Sequence, residues 1–355
     1  MNRRFLLTGL SAAGLLGASA CAPLSQHPLV PPQGFTGPRL EPDALVSFDG
    51  ERLPMTVWPS GTGEPWAVIV ALHGMNDYAE AFTLAGPYWA EHGVTTYAYD
   101  QRGFGRAARR GVWGGEGLMA EDLRTACALV RARHPGAVIA VAGESMGGAV
   151  AITAFASDRP PQADRLVLLS PAVWGWRDQS LSENIALWLS AHIAPASKIE
   201  PPDWLVRKIE STDNIEILRR MSRDRNLIFA TRTDAIYGLV NLMQDAQDEI
   251  GRVKTPLLYQ YGAHDQIIPE GAARHAAKKL GPNGRSALYA NDWHLLNRDL
   301  GRERVLADAL AFIRDPAAPL PSGAPPLVGQ GVSTIRPALS PRAASAMARA
   351  NWSSG

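Results

Sequence analysis

Between about residues 40 and 315, short dense apolar stretches alternate with longer ones whose apolar positions recur every three or four residues. Residues 44–48 and 53–58 flank Asp49-Gly50, which predicts a hairpin at the start of a sheet. The run 66–72 is apolar throughout, the pattern of a strand buried on both faces. Further strands are predicted at 94–99, 138–142, 166–169, 257–261 and 286–289. Helix-length segments at 78–91, 118–133, 146–157, 271–280 and 302–313 separate most of them. Strands alternating with helices imply an α/β protein whose mostly parallel sheet carries helices on both faces. The interval 174–250 has helical periodicity and no comparable strand, so it reads as an inserted helical cap.

The ends follow other rules. Met1-Asn2-Arg3-Arg4 precedes an apolar run from Phe5 to Ala20, a signal peptide too short to span a bilayer comfortably. Ala18-Ser19-Ala20-Cys21 resembles a bacterial lipobox, in which cleavage leaves the cysteine as a lipidated N-terminus; the alternative is a plain secretory peptide. Arg3-Arg4 before Phe5-Leu6-Leu7 also resembles a twin-arginine signal. The expected organisation is a signal peptide over 1–20, a lipidated tether over 21–39 and a domain over 40–315. The expected location is the bacterial cell envelope facing the periplasm, held to the membrane at Cys21, with secretion into the periplasm as the alternative. Residues 316–355 hold seven prolines, three arginines and no acidic residue, and this composition predicts a disordered tail.

Composition narrows the function by exclusion. Lys and Arg total 35 against 34 Asp and Glu, a net charge of +1, so no basic excess is available to neutralise a nucleic-acid backbone. Two cysteines, Cys21 and Cys127, make no disulfide framework and belong to no zinc-spaced cluster. Cys127 falls in a helical stretch, where a buried unreactive thiol is expected.

The candidate chemistry starts at Gly143-Glu144-Ser145-Met146-Gly147, between a predicted strand and a predicted helix. Gly-x-Ser-x-Gly in that context is a nucleophile elbow: the serine occupies a strained turn at the carboxyl edge of the sheet, and flanking side chains would clash. A serine hydroxyl is a poor nucleophile at neutral pH, so a histidine base and an orienting carboxylate must follow along the chain. Asp265 stands just after the strand at 257–261, and His294 just after the last strand. The order is Ser145, Asp265, His294. Of the eight histidines His264 is the main rival base, and Asp292 the rival acid. The backbone N–H groups of Met146 and Met75 are the expected oxyanion donors, with His73 holding the loop that carries Met75.

With His73-Gly74, Asp100-Gln101-Arg102-Gly103-Phe104-Gly105, Gly143 to Gly148, Asp265 and His294 in place, the chain resembles an α/β-hydrolase of the monoacylglycerol lipase and lysophospholipase group. That group shares a sequence family with serine aminopeptidases. The resemblance spans about residues 46–313, and Glu144 departs from the histidine that many of these lipases carry before the serine. It implies ester hydrolysis through an acyl-enzyme with no metal or organic cofactor, an acyl ester lipid as substrate, and a cap whose apolar residues could wall an acyl tunnel. Arg219, Arg220, Arg223 and Arg225 could attract a phosphate head group or form a solvated helix face. Two rivals remain: an aminopeptidase using a cap carboxylate among Glu183, Glu200, Asp203, Glu210 and Asp213, and a non-catalytic envelope scaffold.

Overall fold

The computed structural model describes residues 22–200 and 209–328. The alternating pattern folds into a nine-stranded sheet made of β1 (Arg39–Glu41), β2 (Ala44–Val46), β3 (Arg52–Trp58), β4 (Ala67–Leu72), β5 (Val94–Tyr99), β6 (Val138–Glu144), β7 (Arg165–Leu169), β10 (Leu257–Gly262) and β11 (Gly284–Tyr289). Two short strands, β8 (Lys198–Ile199) and β9 (Thr231–Arg232), pair with each other in the cap. The spatial order is β1-β2-β3-β5-β4-β6-β7-β10-β11. The three pairings that join β1, β2, β3 and β5 are antiparallel, and every later one is parallel. The hairpin turn between β2 and β3 closes as Asp49-Gly50 predicts, with Gly50 at φ +83° and its N–H donated to the carbonyl of Ser47 at 3.0 Å.

The α-helices among the described residues are α1 (Ala85–Glu91), α2 (Glu116–Arg133), α3 (Met146–Ala156), α4 (Leu181–Ile193), α5 (Ile215–Met221), α6 (Thr233–Glu249), α7 (Glu270–Lys278) and α8 (Arg302–Arg314). Every residue of β4 is buried, and the period of two divides them between two cores. Val68, Val70 and Leu72 pack in the core that includes α2, α3 and α6; Ala67, Ile69 and Ala71 face the one that includes α1 and α8. The helix expected over 78–91 is broken into a 3-10 turn, Ala79–Phe82, and α1. Pro87 explains the break, because it has no N–H to give and its ring would meet the carbonyl four residues earlier, so it is accommodated in a first helical turn.

Three expected boundaries move. The cap ends near Arg232 rather than residue 250, because α6 buries Ala235, Val240, Leu242, Met243 and Ala246 and packs on α3. Residues 22–38, expected as a free tether, run along the domain: Gln26 is buried and its N–H donates to the Trp113 carbonyl at 2.8 Å, and the Leu29 N–H donates to Asp49 at 2.9 Å. The disorder expected from residue 316 onward does not hold over residues 316–328. Residues 316–328 cover the outer edge of β11, with the Leu288 N–H donating to the Pro325 carbonyl at 2.8 Å, Arg285 bound to the carbonyls of Pro316 and Ala318, and Leu327 fully buried. Proline carbonyls still accept, so a proline-rich segment can satisfy an open strand edge that composition alone does not reveal. Residues 1–21, with Cys21 and the signal peptide, and 329–355 lie outside the described residues.

Candidate active site

The parallel registers bring the carboxyl ends of five strands into line. Leu72 stands opposite Gly143, Glu144 opposite Leu169, Leu169 opposite Gln260 and Gly262 opposite Tyr289. β4 is the switch point, because the chain passes to β5 on one side of it and later to β6 on the other, and in open α/β sheets a crevice opens there. The loops carrying His73, Ser145, Asp265 and His294 all leave from this edge.

Ser145 holds φ +50° and ψ −115°, a conformation that costs a non-glycine residue about 1–3 kcal/mol and persists only when its surroundings enforce it. They do. The Ser145 N–H donates to the Leu169 carbonyl at 3.0 Å, and the Ser145 carbonyl accepts from Ala172 at 2.9 Å. The glycines permit the close approach: a Cβ at Gly147 would stand 2.3 Å from the Leu72 carbonyl oxygen, and one at Gly143 would stand 2.6 Å from that of Gly147. Met146 opens α3, so its N–H belongs to the positive end of a helix, where negative charge is favoured.

His294 and Asp265 meet as a buried pair, Nδ1 to Oδ2 at 2.8 Å. The second oxygen of Asp265 accepts the N–H groups of Ile267 at 2.8 Å and Ile268 at 2.9 Å, which aims the carboxylate at the ring. A carboxylate only accepts, so Nδ1 carries the proton and Nε2 is left as the basic nitrogen. Burial by itself would lower the His294 pKa; the charge and hydrogen bond of Asp265, with help from Glu144, outweigh it and raise the pKa above the usual 6.5. A base must be unprotonated, so kcat/KM should fall as pH drops through a midpoint above 6.5. A pH-rate profile with its acid midpoint at or below that value would contradict the assignment.

The loop after β4 is set by His73. Its Nδ1–H donates to the Gly74 carbonyl at 2.7 Å, its Nε2 accepts the Gln101 N–H at 2.9 Å, and burial lowers its pKa. A neutral ring with both nitrogens engaged holds the loop in place. A Cβ at Gly74 would stand 3.3 Å from the Ser145 Cβ, so the backbone leading to Met75 runs against Ser145.

The rival residues stand elsewhere. His264 is exposed and stacks on Trp293 at 4.8 Å between ring centroids, and Asp292 pairs with Arg304 at 2.7 Å. His134 bonds to the Tyr97 hydroxyl, and His92 and His192 bond to backbone carbonyls of their own helices. Sequence reasoning missed Arg298. This buried guanidinium binds Asp77 at 2.7 Å and also Glu144, the residue beside Ser145. Its spacing of four residues after His294 and the unusual acid before Ser145 were the available signals. Arg102, within the Asp100 to Gly105 turn, is likewise buried and bound to Asp49 at 2.8 Å and Asp122 at 2.7 Å.

Comparison with known proteins points the same way. The chain is 24% identical over 283 residues to a monoacylglycerol lipase of Mycolicibacterium smegmatis, a match covering 76% of this chain and 95% of that one. It is 23% identical over 262 residues to the human monoglyceride lipase, covering 72% and 84%. Among solved structures, a soluble variant of the monoglyceride lipase of Saccharomyces cerevisiae in complex with a substrate analog superposes with a TM-score of 0.64 at 17% identity, covering 81% of this chain and 98% of that one. A carboxyl esterase from Bacillus coagulans gives a TM-score of 0.63 at 19% identity, covering 76% and 96%, and both likenesses are of fold alone. The family described as serine aminopeptidase, S33, matches residues 63–301, a span that runs from just before β4 past His294, and the chain belongs to that family of α/β-hydrolases.

Proposed function

We propose that the protein hydrolyses carboxylic esters of lipids through an acyl-enzyme on Ser145. The observation that carries this reading is the Asp265–His294 pair, buried and oriented at the same sheet edge as a strained serine. His294 Nε2 takes the hydroxyl proton as Ser145 attacks the carbonyl, and Met75 and Met146 N–H groups hold the oxyanion. The proton then passes to the departing alkoxide; water attacks the acyl-enzyme with His294 again as base, releasing the acid and restoring Ser145. The chemistry is that of positioned protons and dipoles from this chain.

The cap supports an acyl chain as the recognised part. Leu181, Ile185, Trp188, Leu189 and Ile193 are all exposed along one helix, α4, leaving a long apolar stripe uncovered. A cavity of about 430 Å³ opens beside it, walled by Trp176, Ile185, Trp188, Leu189 and Tyr237. Arg219, Arg220 and Arg223 do line a surface hollow, but Glu216 and Asp224 share it, and Arg220 faces Glu80 at 3.5 Å. With Glu80 counted, three acids offset the three arginines, so the hollow offers a phosphate no net positive charge. The names of the relatives agree with a monoacylglycerol substrate. We also propose that the chain is held at the bacterial envelope through a lipidated Cys21, which would bring the cap to acyl esters in the membrane.

Of the five cap carboxylates that could serve an aminopeptidase, two are already engaged. Glu183 closes the cap of α4 by accepting from Ser180, and Asp213 accepts the Leu300 N–H at 2.8 Å. Asp203 lies outside the described residues. The ester reading is tested by comparing hydrolysis of long-chain and short-chain monoacylglycerols. Each buried methylene contributes about 0.8 kcal/mol, so three more of them buried against the cap should raise kcat/KM roughly 50-fold. Preference for the short ester, or faster cleavage of amino-acid arylamides, would overturn the reading.

A further inference from the structure

Arg298 stands at a junction that the triad alone does not explain. It belongs to the loop of His294, four residues on; Asp77 belongs to the loop of Gly74 and Met75; Glu144 immediately precedes Ser145. All three side chains are at least nine-tenths buried, and one guanidinium binds both carboxylates, Nη1 to Asp77 Oδ2 at 2.7 Å and Nη2 to Glu144 Oε1. The contact reaches the oxyanion loop directly, because a Cβ at Gly74 would stand 3.4 Å from Glu144 Oε1. Asn297 adds a second tie, donating to the Ala81 carbonyl at 3.0 Å. Burying ions is costly, and apolar side chains of similar size often hold loops together as well. Packing alone therefore gives little reason for ions at this place.

We propose that Arg298, Glu144 and Asp77 form a positioning clamp that fixes the oxyanion loop, the nucleophile and the base in one register for acyl transfer. The clamp rests on the ester-hydrolase reading and adds residues that act through the triad rather than on the substrate. It also sets the field at the base. The charged groups that bear on His294 are Asp265 from the loop after β10, Glu144 from the end of β6 and Arg298 from its own loop. Asp77 meets it only through Arg298. Of the other acids on that loop, Asp292 is paired with Arg304, and Asp299 accepts the Trp293 N–H at 2.7 Å. Glu144 raises the His294 pKa and Arg298 lowers it, so neutralising one carboxylate must move the base downward.

The test uses two near-isosteric variants of the full chain, Glu144→Gln and Arg298→Lys, with active sites counted by fluorophosphonate labelling. Truncating Arg298 would leave two buried carboxylates unpaired and is avoided. Glu144→Gln keeps an acceptor for the guanidinium but removes the charge; kcat should fall about 10- to 100-fold with KM nearly unchanged. Its acid midpoint should move down. Arg298→Lys keeps the charge and loses the fork, so kcat should fall comparably while the midpoint stays in place. Wild-type kcat and pH profile in both variants would overturn the clamp, even if melting temperatures drop. Failure of the wild type to label or to hydrolyse esters would instead remove the hydrolase reading, and the clamp with it.

Discussion

Replacing Ser145 by alanine should lower the turnover of a cleaved ester by about a million-fold, because it removes the hydroxyl to which the acyl bond is assigned. The variant should also fold. The Ser145 backbone is fixed by hydrogen bonds from its own N–H and carbonyl, which alanine retains, and the left-handed φ of +50° is imposed by the strand-to-helix turn whatever the side chain. The loss is therefore chemical. The oxyanion donors and the cap would remain, leaving a residual rate about 10³–10⁴ above the reaction in water. Steady-state hydrolysis, fluorophosphonate labelling and a thermal melt check the three parts together. A Ser145→Ala protein that melts like wild type yet keeps more than a small fraction of its activity would place the nucleophile elsewhere.

The parts of the fold legible in the sequence are those governed by periodicity and local turn chemistry. Short apolar runs located β4 and β5 to within a residue, and Gly143 and Gly147 flagged a turn too tight for a side chain at either position. The placing of Ser145, Asp265 and His294 along one sheet edge followed from the strand ends. What stayed hidden depends on contacts between distant residues, which leave no period. The packing of residues 316–328 rests on carbonyls meeting β11 and on Arg285, and proline-rich composition argues the other way. Pro87 could have warned that the helix over 78–91 is interrupted. The pairing of Glu144 with Arg298 joins residues 154 apart. An acid before the nucleophile indicates that a buried cation is needed, but it does not say which arginine supplies it.

Exchanging Asp265 for asparagine should cost about 10⁴-fold in kcat with the fold preserved, and the reason is a matter of donors and acceptors. Asp265 accepts on both oxygens: Oδ1 takes the N–H groups of Ile267 and Ile268, and Oδ2 takes the His294 Nδ1–H. Asparagine has one acceptor and one donor end. Two backbone N–H groups compete for its oxygen against one ring N–H, so the amide should keep its oxygen on the backbone and turn its NH₂ toward His294. The ring must then accept at Nδ1 and carry its proton on Nε2, the nitrogen that has to take the proton from Ser145. The base is present but blocked. Loss of the carboxylate charge also removes the main influence raising the His294 pKa, so the acid midpoint of kcat/KM should move down in pH. Asp265 does not line the apolar cavity beside α4, so KM should stay close to wild type. The measurement is kcat, KM and the pH-rate profile of Asp265→Asn, with ring-nitrogen NMR to read the tautomer. A loss below about tenfold, or an Nδ1-protonated ring in the variant, would remove Asp265 from its assigned role.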